Sequence, residues 1–305
     1  MTSIQQLRCS NVGREDLAER ERNVYDMLKR IITSIVALCV LIPVLWFSDT
    51  WVLPIALALV TVICLFEMFR CMGLHKNMAI SLPAYAIGIA LPILQRALSD
   101  ALTVISIATI AAMVYTVYLF ALVIWSHGKL TYKDMCVSAF TSLYIVLAMN
   151  MIGFIRDFGE NGMLLCLLIF LGAWMTDIFA YFTGFFFGKH KLIEDVSPKK
   201  TIEGSIGGTF FCAVSYLVFG ILAEVFLECN ANLIFLTISG IFISVIAQVG
   251  DLIMSVIKRH YGIKDYGKIF PGHGGMLDRF DSILAVSLGV GAMCLLSMVT
   301  NIPLL

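Results

Sequence analysis

Apolar runs of about 20 residues alternate with short polar segments along almost the whole chain. A hydrocarbon core of about 30 Å requires roughly 20 apolar residues of helix to cross it. The pattern therefore predicts an all-α integral membrane protein with about nine transmembrane helices. The expected spans are Ile31 to Phe47, Trp51 to Phe69, Met78 to Leu94, Ala101 to Trp125, Val137 to Ile155, Met163 to Phe187, Ile206 to Leu227, Leu233 to Ile257 and Ile283 to Thr300. Composition agrees: 60% of the residues are hydrophobic and 14% charged, and the mean hydropathy is +0.92, outside the soluble range. No cleavable signal sequence is expected, because the first 30 residues are charged throughout.

Charge gives the spans a direction. With the N-terminus in the cytoplasm, nine spans place residues 1–30, 70–76, 126–136, 188–205 and 258–282 on that side. These segments hold 19 of the 21 Lys and Arg residues, leaving Arg96 and Arg156 outside. Positive charge retained on the cytoplasmic side sets orientation, so the C-terminus is expected outside. Residues 1–30 read as a polar lead-in, either disordered or a weakly amphipathic interfacial helix. Residues 31–305 form a single membrane domain whose chemistry lies at about 170–282. The nine Cys contain no CxxC pair and sit mostly in apolar runs, which indicates small buried hydrophobes rather than disulfides or zinc ligands. No nucleic-acid partner is expected.

Ionisable residues inside a span cost at least about 2.5 kcal/mol at the bilayer centre, which makes each one a candidate for a site. Glu67 lies three residues before Arg70, and local pairing or snorkelling accounts for it as well as function does. Glu224 lies near the outer end of its span. Asp177 and Asp251 are deeper, with no basic residue within four positions on the same helix. Asp177, Tyr181, Gly184 and Gly188 share one helix face; the glycines there serve either a site or the close approach of another helix. Asp251 continues at helical spacing into Ser255 and Lys258, with Arg259 beside them.

Two polar loops follow these helices. The first, GKHKLIEDVSPKKTIEGSIGG from Gly188 to Gly208, sets Lys199 and Lys200 beside flexible glycines leading into a helix. That arrangement suits a phosphate cradle or a basic surface resting on anionic headgroups. Its Gly184, Gly188, Lys189 spacing does not match a P-loop, having three intervening residues, no Ser or Thr after the Lys, and no preceding strand. In the second loop Asp278 and Asp281 share a helix face, with Asp265 upstream. Carboxylates among basic residues and glycines suit Mg²⁺ shared with phosphate oxygens, and nearby Lys and Arg can neutralise transferred phosphate. His260 and His273 lack zinc-ligand spacing.

From Ser255 to Asp281 the chain strongly resembles the phosphatidate cytidylyltransferases, also called CDP-diglyceride synthetases. The matching residues are Ser255, Lys258, Arg259, Lys264, Asp265, Pro271, His273, Gly274, Gly275, Asp278, Arg279 and Asp281. Asp177, Tyr181, Gly184, Gly188 and the stretch SPKKTIEG from Ser197 to Gly204 extend the resemblance to about residues 170–282. It implies that CTP binds from the cytoplasm, that phosphatidate arrives laterally from the inner leaflet, and that a lipid phosphate oxygen attacks the CTP α-phosphorus with loss of pyrophosphate. Phosphatidate carries its own nucleophile, so positioning and charge neutralisation supply most of the catalysis.

On this reading Asp251 and Asp278 hold the metal, Mg²⁺ with K⁺ as a second ion. Lys199, Lys200, Lys258 and Arg259 hold phosphates, and Asp281 works beside the metal pair. Asp177, Tyr181, Ser197, Ser255, Lys264, Asp265, His273, Gly274, Gly275 and Arg279 complete the substrate-binding site. The resemblance also implies a homodimer. The short N-terminal region resembles the bacterial form, hence a bacterial plasma membrane. Two other classes stay in view. A CTP-dependent lipid kinase would release CDP instead of pyrophosphate, and an anion transporter would consume no nucleotide.

Overall fold

A computed structural model describes residue 29 and residues 32–98, 100–128, 130–270 and 274–300. The expectations for residues 1–28, Pro271 and His273 lie outside this set. Among the described residues nine helices run in sequence: α1 (Ile32–Trp46), α2 (Val52–Cys71), α3 (Met78–Ala97), α4 (Ala101–Trp125), α5 (Tyr132–Arg156), α6 (Gly162–Phe187), α7 (Ile202–Leu227), α8 (Leu233–His260) and α9 (Leu277–Thr300). Helices α2 to α9 are long and apolar enough to cross a membrane, whereas α1 is shorter. The all-α membrane architecture is thus as the hydrophobic pattern predicts.

Three helices begin four or more residues earlier than their apolar runs. Helix α5 starts at Tyr132 rather than Val137, α7 at Ile202 rather than Ile206, and α9 at Leu277 rather than Ile283. Hydropathy marks the part of a helix that lies in hydrocarbon, but backbone hydrogen bonding continues through the polar turns beyond it. The consequence for α9 is chemical: the helix face expected for Asp278 and Asp281 is its first turns, continuous with the span, and Arg279 stands there with them.

A small antiparallel hairpin, β1 (Lys191–Ile193) with β2 (Ser197–Thr201), fills the α6–α7 connection. The sequence had offered only a flexible loop there. Thr201 closes the hairpin and caps α7, its Oγ1 accepting from Gly204 N at 3.1 Å. Glu203 turns back so that its Oε2 accepts from the backbone N–H groups of Lys189 and His190 at 3.1 and 3.2 Å. Its Oε1 meets His190 Nδ1 at 2.6 Å.

The core lies between α2, α5, α6 and α9, around Leu65, Met149, Ile152, Leu168, Ile169 and Leu284, all buried. Helix α5 is the most enclosed, and its Ser138, Thr141, Ser142 and Asn150 face the bundle interior. Polar groups in a membrane protein are placed inward because lipid offers them no hydrogen bonds. Ser287 Oγ donates to Ala148 O at 2.7 Å, tying α9 to α5, and Tyr216 OH donates to Leu168 O at 2.8 Å, tying α7 to α6.

Helices α6 and α7 share the most extensive contact in the bundle. It depends on the absence of side chains: a Cβ at Gly204 would lie 2.6 Å from Ala180 O, and one at Gly208 would lie 2.8 Å from Thr176 O. Gly204 and Gly208 form the small-xxx-small pattern that lets membrane helices approach closely. The glycines on the α6–α7 faces therefore have a packing role, and that close approach in turn sets the width of the cavity beside them.

Candidate active site

The basic loops converge at one end of the bundle. Arg259, the last turn of α8, donates from Nε to Val196 O of the hairpin at 3.3 Å and from Nη1 to Ile263 O at 3.4 Å. Arg70 at the end of α2 donates to Tyr266 O at 2.5 Å. The hairpin, the α8–α9 loop and the end of α2 are thereby held together.

Between α6, the hairpin, α7 and α8 opens a cleft of about 890 Å³. Asp177, Tyr181, Gly184 and Gly188 of α6 form one wall, so the face read from their spacing does line a cavity. Ser197, Lys199 and Lys200 of the hairpin stand opposite, Asp251 and Gln248 come from α8, and Arg279 comes from α9. Lys200 Nζ pairs with Asp251 Oδ2. A hairpin is a stiff support for two lysines, which the flexible-loop reading did not supply.

Gln248 was missed because only ionisable residues were sought inside the spans. It precedes Asp251 by three positions and therefore shares its helix face. Its Nε2 donates to Thr209 Oγ1 at 3.2 Å and Ser244 Oγ at 3.3 Å, bridging α8 to α7 beneath the cleft. An amide in an otherwise apolar run is the signal that would have found it.

A second layer of polar contacts lies behind the cleft, on α9. Asp278 is almost wholly buried. Its Oδ1 accepts from Lys258 Nζ at 2.9 Å, and its Oδ2 accepts from Tyr266 N at 2.8 Å and Gly275 N at 2.9 Å. Both oxygens are thus engaged by the chain itself. Lys258 is equally committed, lying 5.4 Å from the Tyr266 ring centroid as well as on Asp278. Gly274 adopts φ +89°, in the region favoured by glycine, and a Cβ there would lie 2.8 Å from Asp278 Oδ2. The Gly274–Gly275 turn therefore wraps the Asp278 carboxylate.

Asp281, one turn further along α9, is placed differently. Its side chain meets that of Asp251, while Ser282 Oγ donates to Asp177 Oδ2 at 3.4 Å. Asp177, Asp251 and Asp281 consequently form one acidic group, contributed by three helices and met by Lys200. No group of three or more His, Cys, Asp and Glu already shaped as a metal site occurs among the described residues. The donor chemistry nonetheless suits a hard cation, since three neighbouring carboxylates of which Lys200 pairs with one repel one another in a poorly hydrated site.

The remaining expected residues are spread more widely. Ser255 is buried on α8, one turn beyond Asp251. Lys264 and Asp265 are exposed on the α8–α9 loop, and none of these three lines the cleft.

Glu67 is the most consequential surprise. It is 1% exposed, and instead of pairing with Arg70 or snorkelling it accepts from Met276 N at 3.1 Å and Leu277 N at 2.8 Å. Gly267 and Gly275 leave room for it, since a Cβ at either would collide with its carboxylate. Glu67 thus supplies the acceptor that the first N–H groups of α9 require, from a helix more than 200 residues away in sequence. Burying the whole carboxylate against a helix N-terminus is favourable for the same reason that anions collect there.

Residues 28–297 match the cytidylyltransferase family. A phosphatidate cytidylyltransferase of Staphylococcus haemolyticus (strain JCSC1435) is 35% identical over 262 residues, which cover 85% of this chain and 96% of that protein. One from Staphylococcus aureus (strain COL) is 34% identical over 260 residues, again covering 85% and 96%. One from Staphylococcus epidermidis is 31% identical over 260 residues with the same coverage.

Proposed function

The chain belongs to the cytidylyltransferase family, and on that premise we propose that it transfers the cytidylyl group of CTP to phosphatidate, forming CDP-diacylglycerol and pyrophosphate. The observation that carries this reading is the cleft in which Lys199 and Lys200 face Asp177 and Asp251, with Asp281 set against Asp251 behind its wall. Such a site neutralises a polyphosphate on one side and concentrates cations on the other.

In the proposed reaction an oxygen of the lipid phosphate forms a bond to the α-phosphorus of CTP. The bond from that phosphorus to the bridging oxygen breaks, and pyrophosphate departs with the electron pair. Lys199 and Lys200 hold the triphosphate from the hairpin. Arg259 acts indirectly, by fixing the hairpin to α8. Lys258 and Asp278 neutralise each other and keep the first turn of α9 in place.

The proposed Mg²⁺ carboxylates are Asp251 with Asp281. This replaces the expected pairing of Asp251 with Asp278, because both Asp278 oxygens already accept hydrogen bonds from the chain. Mg²⁺ there would supply positive charge to the triphosphate and the departing pyrophosphate. Asp177 supports the same position from α6.

The orientation belongs to this proposal: the end bearing the cleft faces the cytoplasm, supported by the 19 of 21 Lys and Arg residues in segments on that side. A bacterial plasma membrane is supported by the Staphylococcus relatives. The homodimer implied by the resemblance is carried forward with it.

The test is pyrophosphate release by purified protein in detergent with CTP, Mg²⁺ and phosphatidate, omitting each in turn and identifying the lipid product by mass. Lipid-dependent pyrophosphate with CDP-diacylglycerol supports the reading. CDP with a newly phosphorylated lipid would replace it with a kinase, and folded protein that turns over no nucleotide would leave transport.

A further inference from the structure

The charge pattern leaves two basic residues, Arg96 and Arg156, at the end of the bundle away from the cleft. The fold brings them together. Arg96 lies in the last turn of α3 and Arg156 in the last turn of α5, and both line a cavity of about 820 Å³ that α4 and α9 complete. Gln95, Asp157 and the two arginines make its polar part. Leu102 and Ile105 of α4 and Leu295 and Met298 of α9 make its apolar part. All four are exposed, so the cavity opens sideways onto the bilayer between α4 and α9.

The guanidinium groups outnumber their partners. Arg96 Nη1 donates to Asp157 Oδ1 at 3.1 Å, and Arg156 Nε donates to Ser48 Oγ at 2.5 Å. Arg156 makes no ion pair within 4 Å among the described residues. Asp157 is the one carboxylate on the described lining, and both arginines act on it electrostatically. The lining therefore holds one positive charge in excess. Its surroundings have the opposite sign: Asp49, Asp100, Glu160, Glu224 and Glu228 belong to the same end of the bundle, and none of them lines the cavity. Tying α3 to α5 by an ion pair requires one arginine, which leaves the second to be explained.

We propose that this cavity binds the headgroup phosphate of an anionic phospholipid from the leaflet opposite the cleft, with an acyl chain lying between α4 and α9. The site is separate from the proposed chemistry and does not depend on it. Arginine binds phosphate oxygens through two parallel N–H groups, and Ser48 takes the Nε–H of Arg156 while leaving its Nη groups for such a ligand. An anionic headgroup supplies the missing negative charge, whereas a zwitterionic one brings an ammonium to a lining already positive. A free anion gains nothing from the apolar opening.

The groove between α5 and α8, around Phe140, Leu252 and Val256, has no charged residue along its lining. It serves as the internal control, because it should take acyl chains without regard to headgroup.

The protein is placed in phosphatidylcholine vesicles containing a trace of phosphatidylglycerol or phosphatidylcholine with a diazirine in one acyl chain. After irradiation the adducts are mapped by mass spectrometry. Adducts near Leu102, Ile105, Leu295 and Met298 should be about tenfold more abundant with the phosphatidylglycerol probe, as one charge-assisted contact would give. Unlabelled phosphatidylglycerol should compete for them and inorganic phosphate should not. Adducts in the α5–α8 groove should be equal for the two probes.

Combining Arg96→Gln with Arg156→Gln should abolish the headgroup preference. Asp157→Asn releases Arg96 and should raise it, whereas a purely structural ion pair would lower the melting temperature and leave the labelling unchanged. The proposal is overturned by equal labelling of this opening with both probes in wild-type protein, by a preference that survives loss of both arginines, or by one that Asp157→Asn fails to raise. Competition by inorganic phosphate as effective as that by the lipid would also overturn it, assigning the cavity to a free anion.

Discussion

Glu67 on α2 accepts a 2.8 Å hydrogen bond from the backbone N–H of Leu277, the first residue of α9, 210 positions later in the chain. The N-terminal half, which by sequence contributes only hydrophobic spans, thus holds the start of the helix that carries Asp278, Arg279 and Asp281. A carboxylate that acts through the backbone of another helix is a positioning residue. Its removal should disturb the site without touching a substrate.

Glu67→Ala leaves two buried N–H groups without acceptors, which costs about 1–3 kcal/mol. A lower melting temperature in detergent is expected, together with a fall in kcat. Glu67→Gln retains one side-chain acceptor oxygen and should recover much of both. Were the alanine variant to melt and turn over like wild type, the capping interaction would have no bearing on α9.

Asp278 and Asp281 should differ in kind when substituted. Breaking the Lys258–Asp278 pair, with side chains 11% and 2% exposed, leaves a buried ammonium unpaired, at a cost of about 3–5 kcal/mol. Asp278→Asn is therefore expected to lose thermal stability first. Asp281→Asn removes a carboxylate beside Asp251 and should leave melting nearly unchanged, yet lower kcat by about 100-fold and raise the Mg²⁺ concentration needed for half-maximal rate. Both are read by melting curves and Mg²⁺ titrations of pyrophosphate release. The reverse pattern, with Asp278→Asn stable and Mg²⁺-starved, would restore Asp278 as the metal carboxylate.

The proposed orientation puts exposed Lys199 and exposed Glu160 on opposite sides of the membrane. In sealed right-side-out vesicles, with the native cysteines replaced, an impermeant thiol reagent should label Glu160→Cys readily and Lys199→Cys only after permeabilisation. Labelling of Lys199→Cys in intact vesicles would invert the topology and place the cleft outside.

Much of the fold was legible because a bilayer imposes a local requirement. Each span needs a run of apolar residues, and α4 from Ala101 to Trp125 is bounded as its hydropathy predicts. Asp177 and Asp251 were found for the same reason, since a carboxylate inside such a run stands out against its immediate neighbours. The hairpin was not legible: the Lys191 to Thr201 pairing joins residues in a polar segment with no apolar alternation. Nor was the ending of Glu67's search for a partner, because its apparent neighbour Arg70 reaches Tyr266 instead.

The sequence by itself determined that this is a multispanning membrane protein of the cytidylyltransferase kind, with its basic residues gathered in alternate loops. These are properties of single segments, set by the transfer of each side chain between water and hydrocarbon. The tertiary structure decided which polar groups remain available. Asp278 and Asp281 are three residues apart and chemically identical, but one is enclosed by Lys258, Tyr266 and Gly275 while the other meets Asp251 across two helices. The chain takes both oxygens of Asp278 but one of Asp251, through Lys200, and one of Asp281, through Ser282 N, and the partners of Asp278 and Asp251 are chosen by packing between distant segments.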